Sequence, residues 1–168
     1  VKRESGNPSG KYEQMYQDYQ SVSANLCHVA KTNNLKTIGI VSPQPSNGTS
    51  TSMAFISYLV STDSVMDSTK PSDDMIESLI GQNQILVIDA QISKPSLHQK
   101  FNVPVAPGFS ELFPYFENGV NPLESTPFIR KIKNTNIKLI PGGSQRRKHL
   151  TLDHIGRLKN YIASIQDQ

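Results

Sequence analysis

Ile85, Leu86, Val87 and Ile88 form an unbroken apolar run that stops at Asp89. A strand with one wet face alternates apolar and polar side chains, so an unbroken run marks a strand covered on both faces, as in a parallel sheet flanked by helices. A second run, Ile137, Lys138, Leu139 and Ile140, stops at Pro141, Gly142 and Gly143. A third, Thr37, Ile38, Gly39, Ile40 and Val41, is short, β-branched and bounded by turn residues, which reads as another buried strand.

Helical patterns separate these runs. Tyr12, Met15, Tyr16, Tyr19, Val22, Leu26 and Val29 recur at three- and four-residue steps and predict a helix ending near 31–34. Met53, Ala54, Phe55, Ile56, Tyr58, Leu59 and Val60 predict a second helix. Pro71 and the acids at Asp73 and Asp74 open a third, with Met75, Ile76, Leu79 and Ile80 on its buried side and Gly81 as its cap. Leu152, Ile155, Leu158, Ile162 and Ile165 place a last helix over 150–166. Strands alternating with helices predict an α/β fold with a parallel sheet between two helical layers. Residues 1–11, polar and carrying Gly6, Pro8 and Gly10, read as a disordered lead-in to a single domain over 12–168.

The 168 residues include 17 Lys and Arg against 14 Asp and Glu, a net charge of +3 that is too weak a field to argue for nucleic acid. No apolar run approaches the roughly 20 residues that cross a bilayer. The single cysteine, Cys27, allows neither an intrachain disulfide nor a multi-cysteine metal site, so a reduced, cytoplasmic setting is expected.

In a parallel α/β sheet, ligands bind beyond the carboxyl ends of the strands, which directs attention to the loop 42–50 and to Asp89. A strand, a loop and a helix is also the layout of a P-loop, whose glycines let backbone N–H groups close on phosphates, whose Lys neutralises charge and whose Ser or Thr holds Mg²⁺. Here Pro43 stands at the first glycine position, Gly48 at the second, Thr49 at the Lys and Ser50 at the hydroxyl. Losing the Lys removes a pairing worth about 4 kcal/mol at about 4 Å in an effective dielectric of about 20, before desolvation is subtracted.

Four stretches, taken together, resemble a known family. They are Val87-Ile88-Asp89-Ala90-Gln91-Ile92-Ser93-Lys94-Pro95-Ser96-Leu97-His98; Phe101 to Pro104 followed by Pro107-Gly108-Phe109-Ser110-Glu111-Leu112; Asn136-Ile137-Lys138-Leu139-Ile140-Pro141-Gly142-Gly143; and Tyr19, Val22, Asn25 and Leu26. In order and spacing they are similar to the P-loop domain of the bacterial tyrosine kinases of capsule and exopolysaccharide synthesis. The resemblance implies a P-loop NTPase-like fold. It also implies a partner, a membrane polysaccharide co-polymerase or another export-complex protein, and a cytoplasmic place held at the inner membrane through that partner or through a segment outside this chain. Homo-oligomerisation is left open, and no nucleic-acid partner is implied.

The departures fall on the residues that carry the family's charge. The family's P-G-E-G-K-S-T corresponds to Pro45, Ser46, Asn47, Gly48, Thr49, Ser50 and Thr51, with Thr49 in place of the Lys. Asp89 retains the first acid of the second motif, whereas Gln91 replaces the second. The Glu and two Arg of the family's oligomer-forming helix fall on Gln17, Gln20 and Ser23. The chain reaches Gln168 before the family's Walker B strand would come, and it carries no terminal tyrosine cluster. The expectation is a pseudokinase that needs neither ATP nor Mg²⁺ and works as a protein-interaction module. The alternative is a nucleotide binder in which Arg146, Arg147 or a partner supplies the missing charge.

Plainer readings apply to the other features. Asp89 at a strand end reads first as a cap or turn residue. His28, His98, His149 and His154 have no metal-ligand spacing. Tyr12, Tyr16 and Tyr19 share one helical face and read first as packing. Asn47-Gly48-Thr49 is a formal glycosylation sequon with no consequence in a bacterial cytoplasm.

Overall fold

The computed structural model describes residues 8–44, 46–62, 85–117 and 126–145, together with 156, 157, 159, 160 and 163. The chain divides into two compact units, Val1–Asn83 and Gln84–Gln168.

In the first unit, helix α1 spans Pro8–Thr32 and helix α2 spans Thr49–Thr62. Helix α1 starts earlier than the sequence pattern suggests, so residues 8–11 are helical rather than part of a lead-in. Pro8 suits this start, because the first helical position has no use for an N–H and proline is already set to a helical φ. The helix ends in a Schellman motif. Asn34 takes φ 50, the Leu35 N–H reaches the Ala30 carbonyl at 2.8 Å, and the Asn34 N–H reaches that of Lys31 at 3.3 Å. The two Asn that interrupt the apolar stripe therefore also close the helix.

Helix α1 packs on α2 through Tyr19, whose ring stacks on Phe55 with centroids 5.2 Å apart and whose hydroxyl lies 2.8 Å from the Ser52 hydroxyl. Tyr12 and Tyr16, expected on the same packed face, are exposed. In α2, Leu59 is buried, and the buried Ser57 hydroxyl donates to the Met53 carbonyl at 2.7 Å, which satisfies it without a partner from another element.

Residues 37–41 are not a strand. They have no regular secondary structure, and Val41 is 91% exposed. An apolar run becomes a strand only where a neighbouring edge supplies hydrogen bonds, and the first unit contains no strand among its described residues.

In the second unit, β1 (Ile85–Ile88) and β3 (Ile137–Ile140) pair in parallel, with Ile85 opposite Ile137 and Ile88 opposite Ile140. Strand β2 (Arg130–Lys131) adds to the other edge of β3 in the antiparallel sense. The sheet has the order β1-β3-β2 and is mixed, not wholly parallel. Both apolar runs are strands as expected, and β3 is covered on both faces, since Leu139 and Ile140 point to opposite sides and both are fully buried. A short helix, α3, spans Leu97–Lys100, and α4 spans Phe109–Glu117. Phe109, Leu112 and Phe113 of α4 form one buried cluster with Ile92, Phe128 and Ile140. The Phe109 and Phe113 rings meet edge to face at 5.2 Å.

The chain is thus α/β with a small mixed sheet. The positions described near the C terminus, Gly156, Arg157, Lys159, Asn160 and Ala163, are helical. The helix expected over 71–80 lies outside the described residues. No helix among the described residues is long and apolar enough to cross a membrane.

Candidate functional site

The loop 46–51, expected from the sequence to stand where a phosphate cradle would, turns through two left-handed residues, Ser46 (φ 65) and Gly48 (φ 75). Left-handed residues interspersed in a loop can aim N–H groups at one point. Ser46, Asn47 and Gly48 are exposed, while Thr49, Ser50 and Thr51 are half-buried in the first turn of α2. The Gly48 carbonyl accepts the first helical hydrogen bond, from the Ser52 N–H at 2.8 Å, so Gly48 is the residue that caps α2. Among the described residues no strand precedes this loop, and the sequence places no Lys or Arg among 46–51.

Asp89 and Gln91 belong to the second unit. Asp89 is 3% exposed, and both of its carboxylate oxygens are occupied. Oδ2 accepts the Ser96 and Leu97 N–H groups at 3.0 Å each, and Oδ1 accepts the Gln91 N–H at 3.2 Å. The Ser96 side chain makes no capping bond to α3, so the start of α3 is capped by an acid seven residues upstream. The Asp89 N–H in turn donates to the Ile140 carbonyl at 3.0 Å, extending the β1–β3 pairing by one residue. The plainer reading of Asp89, a structural cap, matches this geometry. Gln91 contributes its backbone N–H, and its side chain is exposed.

The two proline–glycine turns meet each other. The Phe109 N–H donates to the Pro141 carbonyl at 2.6 Å and the Ser110 N–H to the Gly142 carbonyl at 3.1 Å. A Cβ on Gly108 would lie 2.3 Å from the Pro141 carbonyl oxygen, so this approach of backbone to backbone requires glycine. Similarly, a Cβ on Gly142 would lie 2.3 Å from Pro95 Cβ, which seats the glycine turn on the Pro95 turn beside Asp89.

Glu111 locks the arrangement, a role the sequence reading missed. Its Oε2 accepts the Gly108 N–H at 2.8 Å, and its Oε1 accepts the Ser144 N–H at 2.7 Å, the Ser144 hydroxyl at 2.9 Å and the Gln145 N–H at 3.1 Å. The signal was present: Glu111 stands three residues after the capping Gly108, the spacing at which a glutamate reaches back to the start of its own helix. Partial burial pushes the Glu111 carboxyl up, but the hydrogen bonds from Ser144, Gly108 and Gln145 together outweigh it, so the pKa lies below the ordinary carboxylate value. A carboxyl that is more acidic folded than unfolded stabilises the fold fully above the unfolded value of about 4.3 and loses that contribution as pH falls through the folded value. We therefore expect Glu111→Gln to cost most stability at neutral pH. The gap to the native chain should begin to narrow as pH falls through the unfolded value of about 4.3 and close only below the lowered folded value, where both carry a neutral side chain, as read from urea midpoints across a pH series.

An open cleft of about 260 Å³ lies between the 92–95 turn and Gly143-Ser144, with Lys94 on its wall. His98, in α3, is half-buried with its Nδ1 unpartnered among the described residues. No group of three or more His, Cys, Asp or Glu among the described residues is arranged to hold a metal ion. Arg146 and Arg147, the expected anion contacts, lie outside the described residues. Comparison with protein-family models, curated proteins and solved structures gives no match to any of them.

Proposed function

We propose that the chain is a catalytically silent relative of the bacterial tyrosine kinases, with a P-loop NTPase-like ancestry, that serves as a protein-interaction module in exopolysaccharide or capsule synthesis and export. The observation that carries the proposal is Asp89. The acid that would face a Mg²⁺ ion in an active relative has both oxygens engaged by the backbone N–H groups of Gln91, Ser96 and Leu97.

Two further features support it. Beyond the carboxyl ends of β1 and β3, where a parallel sheet receives ligands, the backbone polar groups beside the open cleft are engaged by the chain's own groups: the Asp89 cap, the α4 N–H groups bonded to Pro141 and Gly142, and the Glu111 clamp. The loop 46–51 retains its left-handed glycine without the Lys that would neutralise a triphosphate. Motifs similar to the family's thus persist where they shape the backbone, and charge is missing where it would act on a nucleotide.

Titration calorimetry of the chain with MgATP and MgADP tests the proposal. The expected result is no binding tighter than about 100 μM, equivalent to about −5.5 kcal/mol. Tighter binding would overturn the silent reading, and its loss in Arg146→Ala would then assign the missing charge to Arg146.

A further inference from the structure

We propose that Asn47 and Gly48 form a self-modifying site, at which the asparagine converts without an enzyme to aspartate and isoaspartate. An Asn followed by Gly offers this chemistry the least hindrance, because glycine places no side chain beside the attacking nitrogen; the chain has two such pairs, Asn47-Gly48 and Asn118-Gly119, and the second lies outside the described residues. The Gly48 amide nitrogen, after losing its proton to solvent, attacks the Asn47 side-chain carbonyl carbon. The bond to the side-chain nitrogen breaks, ammonia leaves, and a cyclic imide closes. Water then adds to one of the two imide carbonyls. Opening in one direction restores the backbone and leaves aspartate; opening in the other routes the backbone through the side chain and leaves isoaspartate. One water is consumed and one ammonia released, with no change of oxidation state.

Exposure, a free amide and open space favour the conversion. Asn47 and Gly48 are both exposed, so solvent reaches the amide and the imide. Gly48 lies ahead of α2, and among the described residues its N–H donates no hydrogen bond that would hold the proton in place. Nothing lies within 4 Å of the position a Gly48 Cβ would take, and its φ of 75 belongs to a conformation that only glycine adopts without cost, so the ring has room and the backbone can turn.

The product is a carboxylate just ahead of the first turn of α2. That turn contains no acidic residue, so the new charge meets the positive end of the helix without a like-charged neighbour within the turn. The net charge falls by one from +3. If the loop descends from a phosphate cradle, as proposed above, the conversion places an anion where an anion once bound and completes its silencing. The conversion itself does not depend on that descent.

The test incubates the full chain in mildly alkaline buffer, folded and in urea, and follows residue 47 by peptide mapping with isoaspartate methyltransferase labelling. The folded chain should convert at residue 47 within about tenfold of the unfolded rate, because an exposed loop needs no opening step. Asn47→Gln, whose longer side chain would have to close a larger ring, should lose the label at that position. Conversion at residue 47 more than about tenfold slower in the folded chain than in urea would overturn the proposal, as would labelling at that position that persists in Asn47→Gln. Nucleotide binding by the unconverted chain would overturn the silent reading and leave this one standing.

Discussion

Replacing Phe113 with alanine is expected to lower the unfolding free energy by about 3–5 kcal/mol. Phe113 is fully buried, meets Phe109 edge to face, and belongs to the cluster that joins α4 to β3 through Ile140 and to the 126–128 turn through Phe128. Two of the walls around it cannot close in. The start of α4 is fixed by its hydrogen bonds to Pro141 and Gly142, and β3 is held by strands on both edges. A cavity that cannot collapse is the costly kind, so the value should fall in the upper part of that range. Because the chain has no Trp, far-ultraviolet circular dichroism in urea is the suitable readout. Tyr12→Ala, at a side chain 68% exposed, should stay within about 0.5 kcal/mol and serves as the control.

Asp89→Ala carries the second large effect, about 3 kcal/mol of lost stability. A hydrogen bond to a charged group contributes about 1.5–3 kcal/mol, and buried N–H groups left without acceptors add their own desolvation cost. Here the N–H groups of Gln91, Ser96 and Leu97 lose their acceptor together, and they share one carboxylate, so their contributions do not simply add. Asp89→Asn should recover part of the loss, since its single carbonyl oxygen can serve the Ser96 and Leu97 pair while its NH₂ group cannot accept from Gln91. The sign of the alanine effect separates two roles for the residue. An acid held ready for a metal ion is a site where function works against stability, and its removal is neutral or stabilising. An acid that caps a helix is one whose removal destabilises.

The parts of this fold legible in the sequence are those decided locally. Ile85–Ile88 could be recognised because an unbroken apolar run needs cover, and Ile137–Ile140 because its three large aliphatic residues, broken by Lys138 alone, stop at a Pro-Gly-Gly turn. The end of α1 could be recognised because Asn33 and Asn34 break the stripe and accept a left-handed turn. The run 37–41 has the composition of a strand, but no strand stands among the described residues of its own unit, and composition carries no information about partners. Strand β2 fails in the opposite way: Arg130 and Lys131 have nothing of a strand about them and pair because β3 offers a free edge. Antiparallel addition of that short edge is what makes the sheet mixed.

The candidate site divides along the same line. The absence of Lys at position 49 and of an acid at position 91 is read directly from the chain. That Asp89 faces backbone N–H groups depends on where the chain turns after Gln91, which only the fold reveals. Glu111 lay between the two cases, because its capping spacing was local while its hold on Ser144 and Gln145 joins residues more than thirty apart.

The most direct test of the proposed silence toward nucleotide is the unfolding midpoint of the chain with and without MgATP at about 1 mM. A ligand that binds only the folded state at a Kd of about 100 μM would add about 1.4 kcal/mol at that concentration. The expected result is a midpoint that does not move when MgATP replaces Mg²⁺ alone. An upward shift of that size would show that the folded chain still holds a triphosphate, and would contradict the proposal that it is silent toward nucleotide.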